Sequence, residues 1–248
     1  MSFQLILPFL SSAVMILFTA SVLQRYLVRR KPHFLFWGIG LAMFAAGSLG
    51  EAYFAVAGWS AAVFFAWYLF GAALNAAWIG HGTLLLLVRR RWVHGVTGIL
   101  IVGSLIAAGL MLSIMPRLNA AAFDPGLPIS EQYRSIMPAI ADGATVRLTT
   151  PFFNIYGLLT LVGGALWSAW LFLRKQVLGN RVLGNVLIAA GALSIGLAST
   201  ATRLGFGGYL YLGELIAAVL MYVGFVVASA PATEAERAEA MGAAPQAA

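Results

Sequence analysis

The chain has 248 residues, of which 61% are hydrophobic and only 9% charged. A soluble domain carries about a quarter charged residues, so this composition excludes a water-borne globular enzyme. The mean hydropathy of +0.90 excludes disorder. With no cysteine in the chain, disulfides, iron–sulfur clusters and thiolate metal sites are excluded as well. A net charge of +7 would suggest nucleic acid in a soluble protein. Here the arginines stand in short clusters between apolar runs, the pattern of an orientation signal in a membrane protein.

A bilayer core is about 30 Å thick and takes about 20 apolar residues in a helix. Seven runs qualify, near 4–24, 34–57, 61–88, 95–115, 151–173, 183–203 and 209–230. The expected fold is an all-α integral membrane protein, a seven-transmembrane-helix bundle occupying 1–231, followed by a short tail at 232–248. The first run has no basic residue before Arg25, so it reads as a retained helix and not a signal peptide. Alternate connections hold ten basic residues (Arg25, Arg29, Arg30 and Lys31; Arg89, Arg90 and Arg91; Arg174, Lys175 and Arg181). The opposite connections hold four, at Arg117, Arg134, Arg147 and Arg203. That bias places the N-terminus outside and the C-terminus in the cytoplasm, in a bacterial cytoplasmic membrane. Trp59 and Tyr209 are expected at the outer interface, and Trp92 at the inner one.

An ionisable residue inside a bilayer costs several kcal/mol unless it is paired or wet, which makes it a functional candidate. In the second run Glu51 lies about 11 Å below the outer end, with Gly40, Phe44, Gly47, Ser48 and Gly58 on its face. The third run carries Tyr68 and Asn75 on one face, and His81 deeper, read as a hydrogen-bonded packing residue. The small residues Ala72, Ala76 and Gly80 mark a seam for close helix approach, as do Gly157, Gly164 and Ser168, and Ala192, Gly196 and Thr200. The long connection 117–150 has turn signals at Asp124-Pro125-Gly126 and Asp142-Gly143, and a short helix expected from Ser130, as N-cap, to Met137. A solvated connector is its ordinary reading and a lid its functional one. The fifth run opens at Pro151 and carries Asn154 and Tyr156; the sixth ends at Arg203; in the seventh Glu214 lies about 8 Å below the outer end. No proline interrupts the middle of a run.

The expected site is therefore an outward-facing polar cavity lined by Glu51, Tyr68, Asn75, Asn154, Arg203 and Glu214. The competing reading is a Glu–Arg–Tyr clasp that ties helices together and binds nothing; a clasp needs no cavity. No catalytic or metal-binding constellation stands out, so an enzyme is not expected, nor a cofactor. The helix count resembles that of seven-helix receptors, including the sensory regions of some bacterial histidine kinases, over a tryptophan-containing second run with an intramembrane glutamate (Trp37 to Glu51). That resemblance implies a sensor or receptor for a small ligand. Partners would be the lipid bilayer and a separate signalling or complex-partner chain, with no nucleic acid. Two alternatives stand beside it. One is a small-solute transporter with a three-plus-one-plus-three repeat, matching Pro8 with Pro151, Gly47 with Gly196 and Gly58 with Gly207. The other is a structural subunit of a larger membrane complex.

Overall fold

A computed structural model describes residues 3–174, 179–203 and 209–230, without the side chains of 3–5 and 203. The tail at 232–248, Lys175, Gly207 and the side chain of Arg203 lie outside the described residues. The helices are α1 (Phe3–Arg29), α2 (Pro32–Ala57), α3 (Ala61–Leu87), α4 (Trp92–Ile114), α5 (Ile129–Ile136), α6 (Val146–Arg174), α7 (Gly179–Arg203) and α8 (Leu210–Ala228). Among the described residues, seven helices are long and apolar enough to cross a membrane; the exception is α5. Pro32 opens α2, where its missing N–H is no loss, and Ser60 caps α3 by accepting from Val63 N–H.

Six helices close a ring in the order α1, α2, α3, α6, α7, α8 and back to α1, while α4 stands outside it against α3 and α6. Small residues set the closest approaches. A Cβ on Gly47 of α2 would lie 2.5 Å from the Cα of Gly71 on α3, so only glycine fits there. Gly157 of α6 meets the backbone of Ala76 on α3, and Gly80 faces Gly157 in return. The seams expected along Ala76–Gly80 and Gly157–Gly164 are therefore where they were read. Gly196 is different: the nearest atom to a Cβ there is Leu158 Cδ1 at 3.9 Å, and Gly196 and Thr200 border a void, while Ala192 of the same stripe packs in the core. Gly47 and Gly196, matched as repeats, thus have unlike surroundings.

One end of the bundle carries the arginine-rich links at 30–31 and 88–91, here the arginine face. The other end carries the links at 58–60 and 115–145, here the loop face. The long link is folded against the bundle. Gln132, buried, accepts from Asp124 N–H (2.7 Å) and donates to the carbonyls of Asp124 (2.8 Å) and Leu127 (2.7 Å). Its helix runs from Ile129, with Pro128 at the N-cap, so Ser130 lies inside the first turn and does not cap. The fifth membrane-length helix starts at Val146, five residues before Pro151, which falls within its opening turns. Trp59 packs between Phe54, Phe64 and Phe123 at ring separations of 6.1, 5.3 and 5.8 Å, closing the α2–α3 corner, while Tyr209 and Trp92 remain exposed.

Candidate functional site

The middle of α3 departs from α-helical winding. Residues Trp67–Leu74 form a π-helical stretch, and Asn75 N–H bonds to the carbonyl of Phe70, five residues back. Side chains fill in around this wide turn. Asn75 Nδ2 donates to the Gly71 carbonyl of its own helix (2.7 Å), and Asn154 Nδ2 reaches across from α6 to the Ala72 carbonyl (3.1 Å). Wide turns of this kind concentrate at functional sites, because they re-aim side chains on both sides. Here Trp67 and Tyr68 turn inward and are buried.

Between α2, α3, α6, α7 and α8, in the half towards the loop face, lies a cavity of about 410 Å³. Glu51, Tyr68, Asn75, Asn154 and Glu214 all border it, so five residues singled out from the sequence meet in one place. The sixth, Arg203, is the last residue of α7, and its side chain lies outside the described residues. The size matches a small-molecule site, for which about 300–1,000 Å³ is usual.

Glu51 and Glu214 come from α2 and α8, helices that are not neighbours in the ring, and their carboxyls lie within hydrogen-bonding reach of each other. Glu51 is 3% exposed and Glu214 9%. Trp67 Nε1 donates to Glu51 Oε1 (3.2 Å). Apart from the contact between the two carboxyls, Oε2 of each acid is buried without a hydrogen-bond partner. Ionised carboxylates present acceptors only, so two in contact require a hydrogen or a cation between them. Two hydroxyls that border the same cavity are also unpartnered: Ser48 Oγ, whose residue is 2% exposed, and Ser130 Oγ from α5. Neither serine stood among the residues chosen from sequence. Ser48 carried a signal, since it stands three residues before Glu51 on the same face; Ser130 carried none, because its role depends on how the loop folds.

The loop helix covers the cavity. Tyr133 of α5 borders it and packs against Trp67 and Tyr68 with ring centroids 6.2 and 5.9 Å apart. Arg134 and Arg147 lie over the Tyr133 ring at 5.8 and 6.0 Å. Tyr68 Oη meets Thr150 Oγ1 (3.2 Å), and Tyr211 of α8 hydrogen-bonds the backbone at Ile129, the first residue of α5. The long link is thus anchored at several points. Its short helix buries Ile129, Gln132 and Ile136 on one face, while 124–127 and 139–143 stay exposed as a solvated connector would.

Deeper towards the arginine face the interior is filled. His81, fully buried, is held between Tyr156 Oη at Nδ1 (2.7 Å) and Thr97 Oγ1 at Nε2 (2.8 Å). Thr97 spends its own proton on the Val93 carbonyl (3.0 Å), so Nε2 donates to Thr97 and Nδ1 accepts from Tyr156. His81 is the hydrogen-bonded packing residue expected, and Tyr156 belongs to it and not to the cavity. Trp37 Nε1 likewise donates to Thr83 Oγ1 (3.1 Å). Among the described residues no group of three or more histidines or acids is placed to hold a metal ion. No known protein family matches this chain, and neither a curated protein nor a solved structure does.

Proposed function

We propose that this chain is a multi-pass membrane protein of sensor or receptor type that takes a small ligand into the cavity beneath the loop helix. In this reading the loop face is extracellular and the arginine face cytoplasmic, an orientation that the bias of basic residues supports. The observation that carries it is the pair of unpartnered hydroxyls, Ser48 Oγ and Ser130 Oγ, beside the buried Glu51–Glu214 pair, bordering one cavity. Buried polar groups are almost always satisfied in folded proteins, so orphan hydroxyls beside a buried acid pair in one void mark a place for a partner that comes and goes. A clasp requires no void. A transporter would need a route onward to the arginine face, and the ring interior is filled by the buried apolar cluster that includes Leu41, Ile79, Leu161, Ala189 and Phe225. The reading is therefore a binding protein whose signal passes to a separate chain.

Because the chain has no cysteine, a single Ser48→Cys substitution gives a unique chemical probe of the cavity. In intact cells, small neutral methyl methanethiosulfonate should modify this thiol, and a ligand that fills the cavity should protect it. A Ser48→Cys protein that folds yet stays unmodified, with a Ser130→Cys protein equally inert, would show that the void is closed to solutes and sink the reading.

A further inference from the structure

We infer that the cavity recognises an organic cation, an amine or quaternary ammonium with a small apolar body; this rests on the reading of the cavity as a ligand site. Among the described residues that border the cavity, the charged side chains are two glutamates, with no lysine, arginine or histidine. The carboxyl oxygens, the Ser48 hydroxyl and the Ser130 hydroxyl can all accept hydrogen bonds from an ammonium group. A cation between the two carboxyls would take the place of the hydrogen that their contact otherwise needs.

The walls fit the rest of such a molecule. Phe44, Trp67, Tyr68 and Tyr133 contribute aromatic rings, and aromatic faces attract ammonium groups through the ring quadrupole. The indole N–H of Trp67 is already spent on Glu51, so this ring offers its face or edge and not a donor. Asn75 and Asn154 each commit one N–H to the α3 backbone, so the donors left to an anion are neutral ones, with no charged donor among the described lining residues. A bare metal ion would find too few ionised ligands, since among the described residues no group of three acids or histidines converges. Farther from the acids, towards α6 and α7, the lining turns to Ile155, Leu158, Ile195 and Gly196, room for an apolar substituent.

The thiol of Ser48→Cys tests this with two reagents of similar size and opposite charge, (trimethylammonium)ethyl and sulfonatoethyl methanethiosulfonate. The ratio of their rates at one thiol cancels the reactivity of the thiol itself. Relative to a reference cysteine at exposed Ala121, the ratio should favour the ammonium reagent by about ten-fold or more, the size of effect a focused charge produces. Glu51→Gln and Glu214→Gln in the same background should each reduce that preference several-fold, and benzyltrimethylammonium should protect the thiol while its neutral carbon isostere should not. A ratio equal to the reference, a sulfonate preference, or equal protection by the isostere would overturn the cation assignment. The neutral reagent keeps the two readings apart. Modification by it with no charge preference removes the cation and leaves the ligand cavity, whereas no modification by any reagent at Ser48→Cys or Ser130→Cys removes both.

Discussion

Two buried polar groups in this bundle are built on opposite plans. Around His81 every donor finds an acceptor, and the surrounding helices close on one another through Gly80 and Gly157. Around Glu51 and Glu214, nearer the loop face, oxygens are left without partners and the helices stand apart round a void. Both regions draw on α3 and α6, but the cavity also reaches exposed residues of α6 and α7, Ile155 and Thr200 among them. The difference shows which polarity serves the fold and which is held in reserve: a satisfied network adds rigidity, while an unsatisfied one costs stability and persists where something else requires it.

The largest expected effect breaks the seam that supports both regions. Gly157→Leu forces a side chain into the backbone of α3 and should lower stability by about 3 kcal/mol or more, or prevent accumulation of folded protein, read by thermal unfolding in detergent. Next, His81→Leu strands the Tyr156 hydroxyl and takes the donor from Thr97, which keeps its own bond to Val93, and should cost about 1–3 kcal/mol. The same measurement with Tyr156→Phe added tests the network; if the two losses simply sum, the groups do not act together. Smaller again is Trp67→Phe, which removes one hydrogen bond to Glu51 and should cost about 1 kcal/mol while loosening the cavity wall against Tyr133. The smallest effect has the opposite sign. Glu51→Gln and Glu214→Gln bring an amide donor to an acidic pair and should leave the unfolding midpoint unchanged or raise it. A loss as large as that of His81→Leu in either variant would show that the acids hold the bundle together, and would favour the clasp.

Much of this contrast was legible beforehand, for physical reasons. Membrane-length runs are a matter of composition, so the seven long helices could be read directly, and counting along a helix placed Glu51 and Glu214 at one depth. Helical facing grouped Glu51 with Gly47 and Ser48, which the α2–α3 contact at Gly71 explains. What sequence hid was the winding of α3. The segment Trp67–Leu74 contains no proline, and nothing in Trp-Tyr-Leu-Phe-Gly-Ala-Ala-Leu distinguishes a wide turn from an ordinary one. The bonds from Asn75 and Asn154 that support it are settled by tertiary packing. The loop helix was half visible: Ile129, Gln132 and Ile136 recur at helical spacing, but which surface they cover depends on the bundle beneath. Small residues misled once, at Gly196, because a stripe of them permits close packing without enforcing it.

The wide turn in α3 also bears on how this chain tolerates changes in length. A stretch wound with hydrogen bonds to the fifth residue back holds more residues per turn than its flanks. Deleting one amino acid between Trp67 and Leu74 could be absorbed by tightening the coil, leaving the flanking segments in phase with their neighbours. The same deletion at Gly80 would rotate everything beyond it by about 100° and turn His81 away from Tyr156 and Thr97. Single-codon losses should therefore be survivable in the first stretch and ruinous in the second, a genetic signature of the slack wound into this helix.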